Sequence, residues 1–308
     1  MKEVDILCLG ELTIDEIGIT DKITDDESAT LLTTIQKSFG GRGANFAAFA
    51  SIFDSNIFLI GPVGNDFRES GYKKHMQKLG IDTSGLFESK QLLSSRAFVF
   101  NEKNKSRTFF YGGPLYYEEY EFLNHAKSAF KKLKYKAVYC TSSFQDLNKI
   151  CLSSSSNALK AYSPGHEISY HSTESLKDCL HYTDILFLNE NETNILEKRI
   201  GKGIDIITKD FDIDISITTF GRNGSKILSK GKEVYIPSCK PKIEVDDTGA
   251  GDSYAGAFIA NYLKSGNEIY AGKIASSTAS FVVEKIGCQT NIPTIEMILN
   301  RFMGEYKI

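Results

Sequence analysis

Short apolar runs and amphipathic stretches alternate along most of this chain, and their spacing assigns the elements. Residues 4–9 form an apolar run ending at Gly10 and read as a buried strand. Residues 44–53 (ANFAAFASIF) follow a glycine turn and read as an apolar helix; 56–60 read as a strand and 67–79 as a charged amphipathic helix. Residues 17–39 are polar, β-branched and acidic in the middle (Asp25-Asp26-Glu27), which predicts an excursion of short strands outside the core. The β-rich runs 96–101 and 107–111, joined by Glu102-Lys103-Asn104-Lys105, predict a hairpin. From about residue 118, helix-like stretches alternate with short apolar runs at 137–140, 184–188 and 215–220. That is the pattern of βαβ units, a mostly parallel sheet with helices on both faces. Residues 226–237 predict a second hairpin turning at Lys230-Gly231, and the chain from Glu268 reads as helical with a break at 287–293. The serine run 153–156 reads as a loop or a frayed helix start.

A chain of 308 residues buries roughly three quarters of its unfolded surface, enough for one large domain carrying a small appended one. Hydrophobic residues at 41% and charged residues at 24% fit a soluble globular protein. A net charge of −3 gives no electrostatic case for nucleic acid, and no apolar run approaches membrane-spanning length. Lys2, Glu3 and Asp5 ahead of a very short apolar run do not make a signal peptide. The six cysteines show no C-x-x-C spacing and point to reduced thiols and a cytoplasmic location. The five histidines form no i, i+4 pair, which argues against structural zinc.

The chemistry concentrates in Val245-Asp246-Asp247-Thr248-Gly249-Ala250-Gly251-Asp252-Ser253-Tyr254, just before residues 253–263, which are apolar nearly all round and predict a buried helix. A buried helix behind a glycine turn presents free N–H groups and a partial positive charge, a setting for phosphate. Asp252 is a carboxylate where an anion would be welcome, so it needs a task; accepting a hydroxyl proton during phosphoryl transfer is one. The P-loop pattern fails, because the nearest candidate at 266–274 has one residue too many and no hydroxyl after Lys273. The protein-kinase motifs are absent, and Gly41-Arg42-Gly43-Ala44-Asn45-Phe46 ends in Phe where a dinucleotide fingerprint needs glycine.

The stretch VDDTGAGDSYAGAF resembles the C-terminal signature of the ribokinase, or PfkB carbohydrate kinase, family. Gly40-Gly41-Arg42-Gly43-Ala44-Asn45 resembles its N-terminal signature, and 61–66 (GPVGND) the segment that follows. Gly10 with Asp15, the N-x-x-E block Asn189-Glu190-Asn191-Glu192, and the T-x-G-x-x-G block from Thr219 to Gly224 complete the series in family order. The resemblance spans nearly the whole chain. It implies a ribokinase-like three-layer α/β/α core with a mostly parallel sheet, over residues 1–308, and a small β-strand lid at about 16–38 and 94–112.

The resemblance also implies roles. Phosphoryl transfer passes through a loose transition state, so positioning and charge stabilisation dominate. Backbone N–H groups of Gly249, Ala250 and Gly251 are expected to form an anion hole, and Asp252 to be the general base, against the alternative of a helix N-cap. Asp15, Gly41, Asn45 and His166 are expected at the acceptor; Asn45 reads otherwise as a helix-start cap. Asn189, Thr219, Gly221 and Gly224 are expected along ATP. Asn189 and Glu192 would hold hydrated Mg²⁺, the alternative being a solvated strand-to-helix turn. The position of Asp246 implies a part in holding a monovalent cation such as K⁺. Asp247 stands where Thr or Pro is usual and adds negative charge beside the phosphate.

Within the family, Ser253-Tyr254, 278–284, 287–291 and Ser163-Pro164-Gly165-His166 are similar to the archaeal nucleoside-kinase branch, which more often has Asp-Pro-Gly-Gln at 163–166. That resemblance implies transfer to the 5′-hydroxyl of a nucleoside. A nucleobase needs a flat apolar surface, and without tryptophan the candidates are Phe98, Phe100, Phe109, Phe110 and Tyr111; alternation lets only some face a pocket. A free sugar is the second acceptor and ribose 1-phosphate the third, the last needing a cationic clamp to which Arg42 or Arg107 could contribute. Retention of Asp252 and both anion-hole glycines speaks against a non-catalytic sugar-binding regulator. The lid is expected to pair with another copy as a homodimer, with no nucleic-acid or membrane partner.

Overall fold

The computed structural model describes residues 1–23, 28–102, 105–155 and 157–307; the acidic run at 25–27, the hairpin turn at 103–104 and Ser156 lie outside the described residues. An eight-stranded sheet runs in the order β14 (Lys232–Ile236), β13 (Ser225–Ser229), β12 (Ile215–Thr219), β11 (Ile185–Asn189), β10 (Leu159–Tyr162), β9 (Leu133–Cys140), β1 (Lys2–Leu9), β4 (Ile57–Ile60). The six strands from β12 to β4 are parallel, and β12-β13-β14 is an antiparallel meander whose second turn is at Lys230 and Gly231. Both faces are covered, which is why central strands read as unbroken apolar runs. Ile6 and Cys8 join one core with Phe46, Tyr139 and Phe258, while Leu7 and Leu9 join the other with Val138, Cys140 and Leu186.

The first core is closed by α1 (Arg42–Ser51), α2 (Tyr72–Lys78), α9 (Ala250–Ser265), α10 (Glu268–Val282) and α11 (Ile295–Tyr306). The second is closed by α4 (Glu119–Phe130), α5 (Gln145–Ser153), α6 (Thr173–Leu180), α7 (Glu190–Ile200) and α8 (Ile204–Asp210), with the single turn α3 (Pro114–Tyr117) leading into α4. A two-stranded patch, β5 (Pro62–Val63) and β6 (Phe87–Glu88), flanks the sheet.

A separate four-stranded sheet has the order β3 (Thr34–Gly40), β2 (Thr13–Ile19), β7 (Arg96–Glu102), β8 (Lys105–Tyr111). Its register sorts the aromatic candidates. Asp15 is paired laterally with Ser38 and Ala97, and Ala97 with Phe110, so these four share one face. The opposite face carries Phe98 and Phe109 in one row and Ile35, Phe100 and Arg107 in the next.

Two expectations change, and one strand is new. The helix expected at 67–79 is only α2, because Gly71 in a left-handed conformation breaks the preceding turn. The strand β10 went unread: it is four residues long with Lys160 inside it, and that lysine is paired with Asp184 at 3.1 Å. The helix expected at 253–263 begins at Ala250, which makes Asp252 its third residue rather than its cap.

Candidate active site

Gly249 sits at the N-terminus of α9 with φ 77, and a Cβ there would lie 2.2 Å from the Cys288 sulfur, so neither the turn nor its packing accepts a side chain. The Ala250 N–H donates to the Asp247 carbonyl at 3.1 Å. The N–H groups of Gly249, Gly251 and Asp252 have no acceptor among the described residues, and a Cβ on Gly251 would meet nothing within 4 Å. The free donors of the turn are therefore 249, 251 and 252, because 250 is spent on closing it.

Asp252 stands at the base of this turn. α1 packs against α9 closely enough that a Cβ on Gly256 would lie 2.4 Å from the Phe46 carbonyl oxygen, and this approach brings Asn45 Nδ2 to 2.9 Å from Asp252 Oδ2. Burial pushes the Asp252 carboxyl up to about 7, against the opposing pull of the Asn45 hydrogen bond and the Arg42 charge. Asn45 is inside α1, so it is not the helix-start cap.

Asp15 comes to the same region from β2: burial raises the Cys288 thiol, and the charges of Asp252 and Asp15 both raise it further. The Asp15 carboxylate makes no hydrogen bond or ion pair among the described residues, and burial plus the charges of Asp246 and Glu16 raise it to about 7. Gly41 is pressed against the chain at residues 11–13, where a Cβ would come within 2.6 Å of the Glu11 carbonyl oxygen and the Thr13 nitrogen.

On the other side of the turn lies a cleft of about 800 Å³, lined by Asn189, Thr219, Gly221, Gly224, Ala250 and Gly251 among others. Asp247 also lines it, which places its extra negative charge where the motif suggested. Glu192 is not among the lining residues. Asn189 and Glu192 form a reciprocal capping box at the start of α7: Asn189 Oδ1 accepts from the Glu192 N–H at 2.8 Å, and Glu192 Oε2 accepts from the Asn189 N–H at 2.9 Å. Glu192 Oε1 has no partner among the described residues, and burial raises its carboxyl. Asp246 spends both oxygens on backbone N–H groups, of Thr248 at 3.0 Å and Gly287 at 2.8 Å, and so ties two loops together.

His166 does not enter the site: its side chain is 71% exposed, and its Nδ1 is 3.4 Å from Glu167. The inward residue of that loop is Glu167, ion-paired with Arg42 at 2.9 Å and accepting from Ser143 Oγ at 2.6 Å. Arg42 also donates to the Pro164 carbonyl at 3.0 Å and lies 3.5 Å from buried Glu11. Two carboxylates answer its charge, which removes it as a clamp for a sugar phosphate, and Arg107 is on the face opposite Asp15. The sequence carried no signal for Glu11, Ser143 or Glu167, because their partners lie 24 to 132 residues away. Gln289, which donates to Asn45 Oδ1 at 2.9 Å, sat inside a recognised block without a legible role.

A family model described as pfkB family carbohydrate kinase matches residues 4–295. The chain belongs to that family. It is 31% identical to a nucleoside kinase of Methanocaldococcus jannaschii over 96% of both chains, and 28% identical to a nucleoside kinase of Methanothermobacter thermautotrophicus over 98% of this chain and 96% of that one. The crystal structure of the M. jannaschii nucleoside kinase, an archaeal member of the ribokinase family, matches with a TM-score of 0.87 at 30% identity over 99% of each chain. A Burkholderia thailandensis nucleoside kinase in complex with inosine shares the fold, with a TM-score of 0.85 at 20% identity over 98% of each chain. The ribokinase-like fold expected from the motifs is thus borne out, and as a family member the chain is a phosphotransferase acting on an alcohol group. No helix among the described residues is long and apolar enough to cross a membrane.

The raised Asp15 carboxyl has a consequence for this kinase's stability. Between its ordinary value and about 7 the folded protein holds a proton that the unfolded chain releases, so stability falls as pH rises through that window. Asp15→Asn removes this loss. Its thermal midpoint, relative to wild type, should be a few degrees higher at about pH 8 than at about pH 4. A difference independent of pH would show that Asp15 titrates normally.

Proposed function

We propose that this kinase transfers the γ-phosphoryl group of ATP to the 5′-hydroxyl of a nucleoside. One observation carries the reading: Asp252, bonded to Asn45 at 2.9 Å, directly follows Ala250 and Gly251, which line the cleft. We assign Asp15, Asn45 and the face of the small sheet that bears Phe110 to the acceptor side.

The three free N–H groups and the α9 dipole stabilise charge on the transferring group. Asp252, held near neutrality, accepts the hydroxyl proton as the oxygen attacks; a base of this pKa matches ordinary working pH. Asp15 accepts hydrogen bonds from vicinal ribose hydroxyls, which would satisfy a carboxylate that has no partner among the described residues. Phe110, 74% exposed on the Asp15 face, supplies the apolar surface on which a base stacks. The four-stranded sheet serves as the lid that closes over the acceptor and excludes water.

The residues present fit a hydrated Mg²⁺. No cluster of three or more His, Cys, Asp or Glu among the described residues could hold a bare ion, whereas the partnerless Glu192 Oε1, with Asn189 beside it, suits an ion that keeps its waters and shares phosphate oxygens. Such an ion supplies charge neutralisation on the phosphates. Asp246 accepts a single backbone N–H on each oxygen, and the lone pairs that remain suit a part in holding a monovalent cation such as K⁺.

The relatives support the acceptor class: those of 31% and 28% identity are nucleoside kinases. Ribokinase and deoxyribokinase relatives keep a free sugar as the second reading, and the pairing of Arg42 with Glu11 and Glu167 counts against a sugar phosphate. The outer face of the lid exposes Ile35 and Phe109, at 70% and 59%, beside Phe98 and Phe100, a surface suited to a second copy of this chain. Six buried free cysteines support a reducing, cytoplasmic setting.

Asp252→Asn should lower turnover by about 10²–10⁴-fold with ATP affinity kept. Across a panel of nucleosides, free sugars and sugar phosphates with ATP and Mg²⁺, nucleosides should react fastest; a faster free sugar would replace the acceptor. Phe110→Ala should raise the nucleoside KM about threefold to tenfold and leave the ATP KM unchanged, and an unaltered nucleoside KM would remove it from the base site. Light scattering at micromolar concentration should report a dimer; a monomer sinks that assignment.

A further inference from the structure

Behind Asp252 runs a chain of side-chain hydrogen bonds that crosses four elements and ends at a histidine outside the site. Asn45 Nδ2 donates to Asp252 Oδ2 at 2.9 Å. Gln289 Nε2 donates to Asn45 Oδ1 at 2.9 Å. His75 Nε2 lies 2.9 Å from Gln289 Oε1. With Asp252 ionised, the direction of every bond is fixed. A carboxylate only accepts, so Asn45 must turn its NH₂ toward Asp252 and its carbonyl toward Gln289. Gln289 must then offer its NH₂, which leaves its own carbonyl to accept the His75 N–H. A second contact fixes the Gln289 amide independently. Tyr72 gives its hydroxyl proton to the Gly40 carbonyl at 2.5 Å, so its oxygen can only accept from Gln289, whose Nε2 is 3.2 Å away.

We propose that Gln289 and His75 are positioning residues for phosphoryl transfer, holding the Asn45 amide in the one orientation that presents N–H rather than C=O to Asp252. This rests on the reading of Asp252 as the base. Asn45 and Gln289 are buried, so a misdirected amide has no water to turn to; with its carbonyl toward Asp252 it would set oxygen against oxygen. His75 suits the far end. It is half-buried on α2, its ring is held 5.2 Å from Phe39, and burial lowers its pKa, so near neutral pH the ring is uncharged and one tautomer places the proton on Nε2. The donor at Asp252 favours the charged form of the base; without it the carboxylate holds its proton to higher pH.

The test is the pH profile of kcat/KM for the nucleoside that turns over fastest. Gln289→Met keeps the volume and removes the donor to Asn45. Its acid limb should move up by about one pH unit, with roughly tenfold lower turnover at neutral pH that recovers at high pH, and an unchanged ATP KM. His75→Phe keeps the ring beside Phe39 and loses the N–H, and should shift the limb in the same direction. His75→Gln restores a donor and should return the wild-type profile. An acid limb left in place by Gln289→Met, a rate loss uniform in pH, or identical profiles for the two His75 variants would overturn the proposal. Asp252→Asn separates the two readings. If it keeps turnover, the base assignment itself fails. If it abolishes turnover while Gln289→Met leaves the limb in place, only the positioning role fails.

Discussion

The close crossing of α1 and α9 is the contact on which the site depends. α1 is rich in alanine, and Gly256 of α9 has no Cβ where the Phe46 carbonyl passes at 2.4 Å from the position one would take. Only this spacing lets the short Asn45 side chain reach Asp252 at 2.9 Å. The same contact seats the α9 turn against Cys288 and delivers its free N–H groups to the cleft. Backbone donors cannot be moved by a rotamer change, so they point where the helix points. The placement of these donors and of Asp252 therefore rests on how two apolar helices pack.

The site carries costs that the rest of the fold offsets. Asp15 and Asp252 are carboxylates raised to about 7, three N–H groups of the α9 turn lack acceptors among the described residues, and buried Glu11 and partly buried Glu167 share one guanidinium. A protein selected for stability alone would satisfy or replace such groups. Their concentration around one helix end separates this region from the two apolar cores on either side of the sheet.

Much of this was legible in local sequence. The α9 turn could be read because its glycines, its carboxylate and the apolar helix behind them are contiguous. The parallel strands could be read because burial on both faces makes them continuous apolar runs, and β10 escaped because it is short and carries a paired lysine. The N-x-x-E block was ambiguous for a physical reason: an Asn and a Glu three residues apart suit a capping box and a hydrated cation alike, and the structure shows the box. His166 misled because adjacent residues of a loop point in different directions, and it is Glu167 that turns inward to Arg42.

The sequence by itself determined the family, the glycine turn at the start of α9, and the carboxylate beside it, since each is written in neighbouring residues whose spacing carries the geometry. Only the tertiary structure decided which aromatic of the four-stranded sheet shares a face with Asp15, because that follows from strand register. It alone showed that Arg42 is neutralised and that Asn45, Gln289 and His75 form a directed chain to Asp252. Those facts join residues as many as 244 positions apart. Such distances are closed only by packing, and the direction of each bond is set by which groups can donate once they are buried together.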